Sequence, residues 1–172
     1  NWAFDTMNSL NSPRPRVALF EPRIPQNTGT IGRSCLAFNM SLDIIKPTGF
    51  SFEDKFLKRA GLDYWANVDL NLFESFDDYK NTFINSRFIA LTKKSCNSIS
   101  SIIYQNTDIL LFGREDTGLP DNIIKKCELV AGIPMPGGVN QLNDGGVRSL
   151  NLSVACGIVS YSACLQLNLL TK

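Results

Sequence analysis

The sequence predicts an α/β fold, a mainly parallel sheet flanked by helices. Three observations carry that expectation. Val17-Ala18-Leu19-Phe20, Phe88-Ile89-Ala90-Leu91 and Ile109-Leu110-Leu111-Phe112 are continuous apolar runs bounded by polar turns, the mark of strands buried on both faces. Stretches with helical spacing separate such runs, as parallel crossovers require. The chain has 172 residues, 44% hydrophobic and 19% charged, and a chain of this size buries roughly two-thirds of its unfolded surface without a metal or disulfide staple. No repeat or internal linker divides it. Residues 16–172 are therefore expected to form one domain, behind a flexible N-terminal arm, residues 1–15, that is polar and carries Pro13 and Pro15.

In order, the first strand ends in Glu21-Pro22-Arg23-Ile24-Pro25, where two prolines imply an extended loop. A helix follows, capped by Asn27 or Thr28, with Ile31, Cys35 and Phe38 on one face and Arg33 off that stripe, on the side of Gly29. Leu42-Asp43-Ile44-Ile45 is the next strand, closed by Pro47 and Gly49. Phe52 to Ala60 predicts a short basic helix with Lys55, Lys58 and Arg59 at i, i+3 and i+4. Val68 to Leu72 reads as a strand and Phe73 to Tyr79 as a helix. After the two clear strands at 88–91 and 109–112 comes Leu129-Val130-Ala131-Gly132-Ile133 as another. The last helix starts near Ser149, and Ser149 to Asn168 carries no formal charge. Its many Ser, Asn and Gln residues make it too polar for a bilayer, so no membrane partner is expected. Leu150, Val154, Ile158 and Leu165 lie on one side of it and Leu152, Ala155 and Val159 on another. That is more apolar surface than one sheet covers, so a homodimer is expected.

Composition removes whole reaction classes. Seventeen Lys+Arg against 16 Asp+Glu leave a net charge of +1, which argues against affinity from bulk charge. The chain has no histidine, so Ser-His-Asp and Cys-His hydrolases and HExxH metalloproteases are excluded. Cys35, Cys96, Cys127, Cys156 and Cys164 are widely spaced without a CxxC pair, so they read as reduced core residues, and no metal is expected. The start, Asn1-Trp2-Ala3-Phe4-Asp5, has neither an initiator Met nor a signal-peptide layout and reads as a truncated or processed end.

Three strand ends stand out, because parallel sheets bind ligands beyond their carboxyl edge. Leu91 runs into Thr92-Lys93-Lys94, Phe112 into Gly113-Arg114-Glu115-Asp116-Thr117-Gly118-Leu119-Pro120, and Ile133 into Pro134-Met135-Pro136-Gly137-Gly138. Taken one at a time, these are more often plain turns and solvated charges than sites. Neither GxGxxG nor GxxxxGK[ST] occurs, which disfavours Rossmann dehydrogenases and P-loop enzymes.

The set read together has a family likeness. FEPRIPQNTGTIGR (residues 20–33), KRAGLDYW (58–65), ALTKK (90–94), LLFGREDTGLP (110–120), IPM (133–135) and RSLNLSVA (148–155) resemble, in order, the SPOUT (SpoU–TrmD) class of RNA methyltransferases. Within it they resemble the small TrmL (YibK-like) subfamily of tRNA wobble-nucleotide 2′-O-methyltransferases. The likeness spans Val17 to about Leu167 and implies a carboxyl-terminal trefoil knot whose loops hold S-adenosylmethionine, with S-adenosylhomocysteine as product. By matching position it places Leu91, Thr92, Gly113, Glu115, Ile133, Met135, Ser149 and Leu150 around the donor, and Asn27, Arg33, Ser149 and Asn151 at the transfer site. It implies tRNA as substrate and a homodimer with Tyr161 near the interface. Departures are the long Pro136 to Val147 connection, Arg114 where Pro is common, and Ser162 where Glu is common.

For the reaction, Arg33 reads as a positioner of phosphate or hydroxyl, serving as a base only if its surroundings greatly lower its pKa. Lys55, Lys58, Arg59 and Lys93 read as phosphate contacts, while Tyr64 or Trp65 either stacks on RNA or packs. A cytoplasmic enzyme is expected, with an organelle left open. The alternatives are a SPOUT enzyme acting on another RNA and an RNA-binding protein that has kept the fold and lost catalysis.

Overall fold

The computed structural model describes residues 12–52, 64–139 and 144–170. Among them six strands form one sheet: β1 (Arg16–Phe20), β2 (Leu42–Ile45), β3 (Leu70–Phe73), β4 (Phe88–Leu91), β5 (Ile109–Phe112) and β6 (Leu129–Ala131), in spatial order β3-β2-β1-β5-β4-β6. Every pairing is parallel, so all six carboxyl ends lie along one edge. The described α-helices are α1 (Pro25–Ala37), α2 (Phe76–Thr82), α3 (Asp121–Ile124) and α4 (Leu152–Gln166).

The strands alternate their side chains between two apolar layers. Val17, Leu19, Leu110 and Phe112 pack with Ile31 and Cys35 of α1 and Cys156, Val159 and Ala163 of α4. Ala18, Phe20, Ile109 and Leu111 pack with Phe76 and Tyr79 of α2 and Ile123 of α3. Helices on both faces explain why the strands read as unbroken apolar runs. Asp43 on β2 is fully buried and held by Arg16 Nε at 2.6 Å, Tyr79 Oη at 2.7 Å and Asn71 Nδ2 at 3.1 Å. A buried carboxylate needs that many donors to offset its lost hydration. Burial, reinforced by the Asp43 charge, pushes the Tyr79 hydroxyl far above its usual pKa, so it remains a donor.

Several boundaries differ from expectation. α1 begins at Pro25 with Ile24 as its cap residue, so Asn27 and Thr28 lie inside the helix and neither caps it. Proline suits the first helical position because that N–H would be unpaired anyway and its φ is preset. β3 runs Leu70–Phe73 instead of 68–72, and α2 starts later than expected because Ser75, whose Oγ accepts from Asp78 N at 3.1 Å, fixes its start. β6 stops at Ala131 instead of Ile133. α4 starts at Leu152 because Asn151 Oδ1 accepts from Ser153 N at 2.8 Å and Val154 N at 3.4 Å. The expected Phe52 to Ala60 helix, with Lys55, Lys58 and Arg59, lies outside the described residues apart from Phe52.

Trp65 packs rather than being held out to solvent. A Cβ on Gly32 of α1 would lie 2.3 Å from its ring, so only glycine admits that approach. Arg14, placed in the arm on sequence grounds, donates through Nη1 to Phe38 O at 3.3 Å and Leu169 O at 3.0 Å. All five cysteines are free; Cys35, Cys156 and Cys164 are buried as expected, whereas Cys127 is half-buried and Cys96 is exposed, against expectation. Along α4, Val154, Ile158, Tyr161 and Leu165 are exposed, while Val159 belongs to the core. Among the described residues no helix is long and apolar enough to cross a membrane.

Candidate functional site

A cavity of about 250 Å³ opens where β4, β5 and β6 end. Its walls come from four chain segments. Leu91 and Thr92 finish β4, Gly113 and Glu115 follow β5, Ile133 and Met135 follow β6, and Ser149 and Leu150 precede α4. All eight positions expected at the donor thus line one cavity. Leu152, Ala155 and Val159 close it from the side of α4. This face of the helix covers the cavity and the sheet, and the apolar face left over is Val154, Ile158, Tyr161 and Leu165.

The loop after β5 is shaped by two glycines. Arg114 N donates to Gly118 O at 3.2 Å and Gly118 N returns a bond to Arg114 O at 2.9 Å, closing a tight turn. Gly118 has φ +70°, which side chains disfavour, and a Cβ on Gly113 would lie 2.2 Å from the Gly118 carbonyl carbon. The turn sets Glu115 toward the beginning of α1.

There the Glu115 carboxylate accepts from Arg23 N at 2.8 Å and Ile24 N at 3.0 Å, and from Asn27 Nδ2 at 3.4 Å. These amides precede the first turn of α1 and have no partner within the helix, and a negative charge is favoured at that end. Asn27 Oδ1 in turn accepts from Asn151 Nδ2 at 3.1 Å. One polar chain therefore runs from the loop after β5, through the start of α1, to the start of α4.

Of the four expected transfer-site residues, Asn27 and Asn151 touch, and Ser149 is exposed in the cavity wall. Arg33 does not line the cavity; it is exposed on α1 with its guanidinium 5.6 Å from the centre of the Tyr64 ring. Lys93, expected to touch RNA, is exposed at the cavity wall, and Tyr161 is exposed on α4 with its ring 6.3 Å from that of Phe38. Lys94, Arg114 and Asp116, which lie in the strand-end runs noted in the sequence but were given no role there, also line the cavity. Charged residues directly after a buried strand were the available signal. Among the described residues no group of three or more His, Cys, Asp or Glu is placed to hold a metal ion.

Comparison with known proteins gives a consistent set of relatives. Residues 14–161 match the family described as SpoU rRNA Methylase family. An Escherichia coli (strain K12) protein named tRNA (cytidine(34)-2′-O)-methyltransferase is 38% identical over 151 residues, 88% of this chain and 92% of that one. A solved structure described as giving insights into the 2′-OH methylation of C/U34 on tRNA superposes with a TM-score of 0.83 at 38% identity, covering 90% of this chain and 97% of the other. AviRb, a SpoU methyltransferase from Streptomyces viridochromogenes solved with AdoMet, shares the fold at a TM-score of 0.80 with 19% identity, covering 92% of this chain and 62% of its own.

Proposed function

The chain belongs to the SpoU rRNA methylase family, and on that premise we propose that it is an S-adenosylmethionine-dependent tRNA methyltransferase acting on the ribose 2′-hydroxyl of the wobble nucleotide, a cytidine or uridine derivative. The observation that carries this reading is the convergence of the eight expected donor positions on one cavity beside the Asn27–Asn151 contact. The E. coli relative, matched over most of both chains, supports the choice of tRNA and of nucleotide 34.

The cavity fits the donor in its chemistry. Leu91, Ile133, Leu150 and Leu152 offer apolar walls for a flat purine, and Gly113, against which the turn at Gly118 closes, borders the same space. S-adenosylmethionine supplies a methyl group on a positively charged sulfur. An apolar wall favours the loss of that charge more than water does.

The chain's own residues hold and orient. Asn27, Asn151 and Ser149 offer hydrogen bonds to ribose oxygens and set the 2′-hydroxyl in line with the methyl group. Arg33 orients a phosphate or the hydroxyl through its planar, multi-donor guanidinium from the exposed side of α1. Lys93 at the cavity wall, with Lys55, Lys58 and Arg59, attracts the tRNA backbone.

The same reading takes residues 16–172 as one domain with a carboxyl-terminal trefoil knot. It also takes the protein as a homodimer through the exposed residues of α4, Val154, Ile158, Tyr161 and Leu165, working in the cytoplasm or an organelle. Support for the dimer is that these four side chains form an apolar strip on a helix without a formal charge. Incubation of total tRNA with methyl-labelled donor tests the function: label in tRNA is expected, and donor binding without transfer to any RNA would identify a non-catalytic RNA-binding protein instead.

A further inference from the structure

Arg114 and Glu21 form an ion pair between two strand ends that the methyl-transfer reading leaves without a role. Arg114 Nε donates to Glu21 Oε2 at 2.9 Å, and its Nη2 donates to the same oxygen. Both side chains are largely shielded, 23% and 15% exposed, and the guanidinium also lies over the Phe20 ring with its carbon 5.3 Å from the centre. Glu21 has φ +47°, a left-handed conformation that is unfavourable for a residue with a side chain and persists only where surroundings hold it. Its N–H donates to Ile45 O at 2.8 Å, so backbone and side chain are both fixed.

Neighbouring residues complete the arrangement. Glu115 follows Arg114 directly and accepts from the N–H groups of Arg23 and Ile24, two and three residues beyond Glu21. The loop that walls the donor cavity and the segment that starts α1 are thus joined by two adjacent crossing contacts, one between side chains and one from carboxylate to backbone. We propose that Arg114 is a positioning residue: through Glu21 it sets the loop after β5 so that Glu115 holds α1, and with it Asn27, in register with the donor cavity. Arg114 acts on the reaction through Glu115 and Asn27, without touching the reacting atoms. The proposal rests on the methyl-transfer reading for its effect on rate, and on geometry alone for its effect on the amides.

The test compares Arg114→Ala, Arg114→Lys and the charge-reversed pair Arg114→Glu with Glu21→Arg. Amide hydrogen exchange at Arg23 and Ile24, donor affinity by calorimetry, and single-turnover transfer at saturating donor and tRNA are read for each. In Arg114→Ala, exchange at both amides is expected to speed up, the transfer rate to fall by about tenfold and tRNA affinity to stay unchanged. Arg114→Lys and the reversed pair should recover part of each, which a mere loss of stability would not produce. Wild-type exchange at both amides in folded Arg114→Ala would overturn the proposal whether or not the wild-type protein transfers methyl groups. Faster exchange with an unchanged transfer rate would overturn the positioning role. A wild-type protein that binds donor but labels no RNA would overturn the methyl-transfer reading, while the exchange measurement would still decide the Arg114 contact.

Discussion

Asn151 Nδ2 donates to Asn27 Oδ1 at 3.1 Å, joining the starts of α4 and α1 across 124 residues of chain. Asn151 has two tasks, since its own Oδ1 caps α4. Substitution can separate them. Asn151→Ala removes both and should cost about 1 kcal/mol in stability from the lost cap, with a large loss of transfer. Asn151→Asp keeps the cap but presents an acceptor to Asn27 Oδ1. Chemical denaturation should show most of the stability restored in the Asp variant, while single-turnover transfer remains slow.

Arg33 and the Lys58–Arg59 pair should fail differently. Arg33 is exposed and away from the cavity wall, so Arg33→Ala should leave donor affinity nearly unchanged and reduce single-turnover transfer by more than tenfold, the signature of an interaction made in the reacting complex. Replacing Lys58 and Arg59 with Ala should mainly weaken tRNA binding and flatten its salt dependence, because fewer counterions are released. Normal single-turnover transfer in the Arg33 variant would remove it from the reaction.

Neighbouring residues on α4 separate assembly from folding. Ile158 is 39% exposed and Val159 only 1%. Ile158→Glu should leave the circular dichroism spectrum unchanged and turn a dimer into a monomer in sedimentation. Val159→Glu places a charge in the core and should unfold the chain. An Ile158→Glu protein that still sediments as a dimer would put the interface on another surface.

The thiols should react unequally. Burial pushes the Cys156 thiol up to about 12 and Cys127 to about 11, and raises Cys35 and Cys164 as well. Cys96 is exposed. Thiolate is the reactive form, so a disulfide reagent at pH 8 should label Cys96 quickly and the others at rates set by local opening. Cys96→Ser should abolish the fast phase.

The parts of the fold legible in the sequence were those set by local pattern. β2, β4 and β5 lie where their apolar runs predicted them, because both faces of the sheet are covered. Boundaries decided by single residues were missed: the Ser75 cap delays α2, the Asn151 cap delays α4, and Pro25, with its preset φ, starts α1 ahead of Asn27. The two apolar sides of α4 were legible, but not that Leu152, Ala155 and Val159 would wall the cavity, because that depends on how the helix lies over the strand ends. In the site, family likeness brought out Glu115, but no spacing rule showed that its carboxylate would hold amides 91 and 92 residues earlier. The Arg114 contact with Glu21 is likewise a product of strand order, since β5 lies beside β1 only in the folded sheet.

Nucleoside mapping of tRNA after incubation with methyl-labelled S-adenosylmethionine tests the central claim most directly. The expected product is a 2′-O-methylated cytidine or uridine derivative at nucleotide 34, formed by the wild-type protein and strongly reduced with Arg33→Ala. Label on a base nitrogen, at a ribose elsewhere in the tRNA, or only in ribosomal RNA would contradict it.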